Sequence, residues 1–215
     1  MSKPYSAADF SSQIAEDRTW RIKEISDLKI ATVRADPVLE KVLLRAIVTV
    51  CYAHWEGSVK FAARKYMEHI ALRRLPIATL NRQFLRNMFL PRLAQLSKSN
   101  TSVSQRCDLI DEILYASEKR FTKANDDLIN TQSNLNFNVF SDICLVCDIS
   151  ADEYSDMSSF IDVILLKRRN EIAHGENTFI ALEDLDELAA KTTGLMRSFG
   201  DALDNRIALE KYKTE

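Results

Sequence analysis

The sequence predicts an all-α fold, a helical bundle of long antiparallel helices. Three observations carry this. Glycine and proline number only four each in 215 residues, too few to punctuate the many short strands of a sandwich or barrel. Apolar residues recur at three- and four-residue steps over a long stretch beginning at Leu39, the period of a helix face. The chain is 46% hydrophobic and 28% charged, enough apolar residue to bury a sizeable core in one globular unit.

The elements follow in order. Residues 10–33 carry Phe10, Ile14, Ile22, Ile25 and Leu28 and read as a first helix. Asp36-Pro37 is a start signal, with Asp at the N-cap and Pro at the first helical position. It divides an N-terminal helical extension, 1–36, from a helical domain, 37–215. The long second helix carries Leu39, Val42, Leu43, Ala46, Ile47, Val50, Cys51, His54, Gly57, Ser58, Phe61 and Ala62 on one stripe and stops before Pro76. It is either one long bundle helix or broken near Gly57, whose place on the stripe suggests close approach by another helix or a second copy. Further helices are expected over about 78–95, bent at Pro91, and about 104–121, with Ser97–Ser102 a polar loop between them. Residues 122–136, rich in Asn, Asp, Thr and Ser, read as irregular. A short helix around Phe137–Cys147 comes next, then a strongly apolar helix over 156–174 ended by Gly175 as C′ residue, and a last helix over 182–209.

Composition excludes several classes of function. The net charge is −2, so no global field singles out nucleic acid or membrane. No apolar run approaches a membrane span, no signal-peptide core follows Met1, and a cytoplasmic protein is expected. Of Cys51, Cys107, Cys144 and Cys147 only the last two form a CxxC. A zinc ribbon needs a second pair, and the three histidines lie at no ligand spacing from this one. Neither metal nor cofactor is expected, and buried thiols are the better reading. Locally the charge is uneven. Residues 60–92 hold eight basic side chains against Glu68 alone, while 148–162 and 176–190 each hold five acids and no base. Arg82 and Arg86 share one helix face in the basic stretch, which reads as an RNA track, a dock for an acidic inhibitor, or a solvated face.

The segment Lys167-Arg168-Arg169-Asn170-Glu171-Ile172-Ala173-His174-Gly175 ends an apolar helix in a cluster of polar groups. Asn170 and His174 are four apart and share a face. Arg169 and His174 are five apart, about 140° round an ideal helix, so they meet at one ligand only if the helix end loosens or a second copy completes the site. An imidazole beside a guanidinium suits cleavage of RNA by its own 2′-hydroxyl: the histidine moves a proton near neutral pH, and the arginine stabilises charge on phosphorane oxygens. The spacing by itself decides little. With 16 arginines and three histidines, one Arg-x4-His arises by chance about 0.2 times, and Arg64 and His69 repeat it. Position distinguishes the two: the second copy lies inside the long helix, with no terminating glycine.

Arg169-Asn170-Glu171-Ile172-Ala173-His174 resembles the R-polar-x3-H motif of the HEPN superfamily, at the end of the penultimate long helix. Tyr52-Ala53-His54-Trp55-Glu56-Gly57, followed by a basic helix, is similar to the second-helix signature of a bacterial HEPN group found in defence and toxin-type loci. The resemblance runs over about 37–205. It implies a HEPN-type bundle and a metal-independent endoribonuclease working as a homodimer, with Arg169, Asn170 and His174 catalytic. Lys167 and Arg168 beside them join Arg82 and Arg86 as expected RNA contacts. Expected partners are RNA, a second copy, and an antitoxin or other defence-system protein. The rival reading is a non-catalytic helical interaction or nucleotide-binding module of such a system. His54 is read as a core histidine, Trp55 as a core or interface aromatic, and Glu56 as a solvated carboxylate. The role of 122–136 is left unexplained by the motif.

Overall fold

The computed structural model describes residues 3–96 and 102–214. Its elements are α1 (Ala7–Arg34), α2 (Pro37–Leu72), α3 (Arg82–Leu96), α4 (Val103–Leu114), α5 (Phe137–Val146), a π-helical segment (Phe160–Lys167) running directly into the short α6 (Arg168–Ala173), and α7 (Asp184–Ala208). Of the described residues 76% are helical and none forms a strand; two isolated bridges, Pro76 to Arg120 and Leu80 to Lys213, are the β pairing among them. Of the expected polar loop, Ser97–Thr101 lie outside the described residues.

Capping chemistry sets the helix starts. Ser6 and Asp9 form a reciprocal capping box at α1, and Ser102 with Gln105 does the same at α4. Asp36 accepts from the backbone N–H groups of Val38 and Leu39, with Pro37 in the first turn of α2. Beyond the end of α2, a 3-10 turn (Ile77–Thr79) precedes α3, which continues through Pro91.

Helix α2 is the central element. It packs against α1, α7, the π segment and α6. Its buried set, which includes Ile47, Val48, Cys51, Tyr52, Trp55, Val59, Ala63, Tyr66 and Ile70, is wider than one stripe, because neighbours surround it. The helix is unbroken at Gly57. A Cβ there would lie 2.6 Å from Nη1 of Arg21, so the missing side chain makes room for the Arg21 guanidinium. The stripe's first members, Leu39 and Val42, are exposed; burial starts one turn later at Leu44. No helix of the described residues is long and apolar enough to cross a membrane.

Two stretches depart from the expected single helices. The fourth helix ends at Leu114 rather than near 121. A 3-10 turn over Ala116–Glu118 follows, and the chain then runs beside Leu75 and Pro76. The apolar segment 156–174 is not one α-helix: it passes from 3-10 (Asp152–Met157) through π to α. π winding aligns residues five apart, and Phe160 and Leu165 are accordingly both buried. Apolar spacing does not separate this winding from an α-helix over so few turns. Cys51, Cys144 and Cys147 are buried and Cys107 is exposed; burial pushes the Cys51 and Cys144 thiols up to about 12.

Both buried histidines belong to α2. His54 is the core histidine expected: its Nε2 lies 2.9 Å from a Glu24 carboxylate oxygen, its Nδ1 lies 3.5 Å from Arg21, and Trp20 meets it edge-on. His69 bonds through Nδ1 to the Pro4 carbonyl at 2.8 Å. Burial lowers both pKa values below the ordinary 6.5; Arg21 adds to the effect at His54 and Glu24 opposes it, while Arg73 adds to it at His69. A depressed histidine is neutral in the fold and protonated when unfolded, so its stability contribution is present above 6.5 and lost as pH falls through the folded value. The thermal midpoint should therefore drop between neutral pH and about 5, and His69→Gln should shrink the drop; a variant with the same pH dependence as the parent would contradict this.

Candidate active site at the end of α6

The π segment delivers α6, and α6 ends at His174. Gly175 has φ +81°. Its N–H reaches the Ile172 carbonyl at 3.1 Å, and the Glu176 N–H reaches that of Glu171 at 2.9 Å. This paired closure is a Schellman motif and fixes where the helix stops. The chain beyond is tied back twice: Arg45 donates to the Glu176 carbonyl at 2.7 Å, and the Thr178 hydroxyl bonds Glu171 at 3.1 Å. His174 is left exposed at the helix end.

Arg169 points the other way, onto α2. Its guanidinium lies over the Tyr52 ring, 4.0 Å from the centroid, and donates to the Ser133 carbonyl at 2.8 Å. Its Nε is buried without a hydrogen-bond partner. Asn170 Nδ2 lies 3.4 Å from the Asn134 side-chain oxygen. The segment that gives these contacts belongs to the irregular 122–136 stretch. Thr131–Asn134 is a tight turn closed by the Asn134 N–H to the Thr131 carbonyl at 2.9 Å. Its central residues, Gln132 and Ser133, have φ +52° and +57°, as a type I′ turn requires but without the usual Asn-Gly. Left-handed backbone costs about 1–2 kcal/mol per non-glycine residue, so the turn needs anchors. Ile129, Thr131 and Leu135 are fully buried, the Thr131 hydroxyl donates to Glu56, and the Leu135 N–H donates to the Tyr52 hydroxyl at 2.7 Å. Burial raises the Tyr52 pKa while the Leu135 N–H opposes the rise, so the phenol stays neutral.

The residues singled out in sequence thus have different surroundings. Arg169 and Asn170 share the 131–135 turn, and His174 stands on the same short helix at its open end. Lys167 is exposed, 3.9 Å from Glu171. Arg168 turns toward α7, 3.4 Å from Asp184, in a cleft also lined by Glu187 and Asp156; it does not join Arg169. Arg82 and Arg86 are exposed on α3, whose neighbours are α4, α5 and the 126–128 turn, whereas α6 packs on α2 and the π segment. The second Arg-x4-His pair is taken apart: His69 is buried against Pro4 and Arg64 is exposed. Trp55 is in the core, 5.0 Å from Phe140. Glu56 is not a solvated carboxylate, since it is half-buried and holds Thr131. Sequence reasoning missed Tyr52 and Ser133 as neighbours of Arg169 and Asn134 as the neighbour of Asn170. The only available signal was the concentration of Asn, Ser and Thr between 130 and 136. Among the described residues no group of three or more His, Cys, Asp and Glu is placed to hold a metal ion.

The Tyr52 hydroxyl gives a direct test of this arrangement. Tyr52→Phe keeps a ring under Arg169 but leaves the Leu135 N–H buried without an acceptor. It should lower the unfolding free energy by about 1–3 kcal/mol in urea titration; unchanged stability would show that the turn does not lean on α2.

Comparison with known proteins finds no curated protein and no solved structure that matches the chain. Comparison with protein families matches residues 16–205 to RiboL-PSP-HEPN, from within α1 to within α7 and including the whole site. The chain belongs to this HEPN-type family.

Proposed function

We propose that the protein is a metal-independent endoribonuclease, with Arg169, Asn170 and His174 as its catalytic residues. The observation that carries the reading is the division of labour on α6: a guanidinium held from one side by an aromatic ring and a carbonyl, and an exposed imidazole at the helix end. In the reaction the substrate 2′-oxygen forms a bond to the adjacent phosphorus and the bond to the 5′-oxygen breaks. The 2′-hydroxyl proton leaves to a base and the departing 5′-oxygen gains one; His174 handles one of these transfers. Arg169 stabilises the charge of the phosphorane through paired donors, and Asn170 holds geometry. The products are a 2′,3′-cyclic phosphate and a 5′-hydroxyl.

The active unit in this reading is a homodimer. Arg169 is drawn toward α2 while His174 faces outward, so two helix ends meeting across a two-fold axis would line one cleft with both residue types. Apolar side chains exposed where α1 meets α2 suit such an interface: Ile30, Val33, Val38, Leu39 and Val42, with Phe179 in the segment that Arg45 ties to α2. Membership of the family and the likeness of Tyr52–Gly57 to defence- and toxin-type HEPN proteins support an effector role, with an antitoxin or defence protein as partner.

The test is cleavage of single-stranded RNA by purified protein. Activity should survive EDTA, leave cyclic phosphate ends, and fail on a substrate with a 2′-deoxy sugar at the cut. Arg169→Ala and His174→Ala should each lower the rate by about 10²–10⁴-fold. Val42→Asp should break the dimer and lower cleavage with it. Loss of activity to chelator and its return with magnesium would overturn the mechanism; no cleavage by the parent protein would favour the non-catalytic reading.

A further inference from the structure

A second basic site lies one to three turns further along α2, separate from Arg169 and from the exposed arginines of α3. A cleft of about 680 Å³ opens between α1, α2 and residues 122–126, lined by Lys3, Arg21, Lys60, Arg64 and Lys123, with Phe61 on its wall. Asp17 holds Arg21 through both carboxylate oxygens, at 2.8 and 2.9 Å. Glu68, another lining residue, lies 2.9 Å from Lys65. Among the described residues no carboxylate lies within ion-pair distance of Lys3, Lys60, Arg64 or Lys123. Six cations, with Lys65, line the cleft against the two carboxylates Glu68 and Asp126, in a chain whose net charge is −2. Four of them make no ion pair among the described residues, and this local excess of positive charge suits a bound polyanion.

The shape favours an extended ligand over a single nucleotide. A neighbouring cleft of about 620 Å³ shares Thr122, Lys123, Ala124 and Asp126 with the first and reaches Asn87 and Met88 on α3. In the other direction Glu56, Lys60 and Arg64 stand four apart and share a face of α2. Glu56 holds Thr131, two residues before the carbonyl that receives Arg169. From Tyr52 to Lys60 the helix rises about 12 Å. The loop 122–136 thus borders the basic cleft at its start and the proposed active site at its end. Basic grooves with an aromatic wall are the usual means of holding single-stranded nucleic acid.

We propose that this cleft holds the sugar-phosphate backbone of the single-stranded RNA flanking the scissile phosphate, an assignment that rests on the nuclease reading above. Lys60 and Arg64 contact successive phosphates from α2, and Lys123 contacts them from the opposite wall.

The experiment is fluorescence polarisation with a labelled 2′-O-methyl RNA oligonucleotide, which cannot undergo 2′-hydroxyl attack, so binding is read apart from cleavage. The triple variant Lys60→Ala/Arg64→Ala/Lys123→Ala should bind about tenfold or more weakly. Its salt dependence should flatten by about two units of log–log slope, roughly 0.7 for each lost contact. Lys60→Arg/Arg64→Lys/Lys123→Arg should retain binding. Parental affinity and slope in the triple alanine variant would overturn the assignment, as would displacement of the oligonucleotide by ATP at equal concentration, which would mark a mononucleotide site. Binding through these three residues by a protein that cuts no RNA would support the cleft and defeat the nuclease reading. Cleavage by a parent protein whose triple variant binds unchanged would do the reverse.

Discussion

Tyr52 is the side chain on which the site depends, because it serves two partners at once. Its ring lies under the Arg169 guanidinium, and its hydroxyl accepts the Leu135 N–H. The first contact joins α6 to α2 and the second joins the 131–135 turn to α2. Ser133 then closes the triangle by accepting from Arg169. Three segments distant in sequence are fixed relative to one another through one phenol and one guanidinium. A cation over an aromatic face contributes about 0.5–2 kcal/mol depending on desolvation. Here Arg169 is half-buried with its Nε enclosed, which places the contact within that range.

The platform is rigid because α2 is enclosed. A helix packed against α1, α7, the π segment and α6 has little freedom to rotate, so Tyr52 and Glu56 present fixed anchors to the turn. That rigidity offsets the cost of two consecutive left-handed residues, Gln132 and Ser133. Strain of this kind persists where the surroundings over-determine it. The same enclosure explains why both α2 histidines sit in settings that disfavour their protonated forms. The exposed part of the site is instead the end of α6, where Gly175 terminates the helix and leaves His174 in solvent.

Much of this was legible in the sequence, and the rest was hidden for identifiable reasons. Asp36-Pro37 fixed a helix start because capping is local chemistry, and Gly175 fixed a stop for the same reason. The position of Arg169 and His174 at a helix end separated them from Arg64 and His69, which share their spacing. The π segment was not visible, because apolar residues at 160, 161, 164 and 165 fit both windings. Nor was the partner of Arg169. A cation–aromatic contact between positions 52 and 169 leaves no local pattern, and a left-handed turn built on Gln132 and Ser133 lacks the Asn-Gly that would announce it. Arg168 was expected beside Arg169 as an RNA contact, and a step of about 100° turns it toward Asp184.

The pairing of Tyr52 with Arg169 is the claim most exposed to measurement. A double-mutant cycle with Tyr52→Leu, Arg169→Met and the double variant, read by urea unfolding, isolates their interaction from each residue's other contacts. The account predicts a favourable coupling of about 1 kcal/mol or more. A coupling indistinguishable from zero would contradict it, and α6 would then owe its position to packing and to its contacts with Ser133 and Asn134.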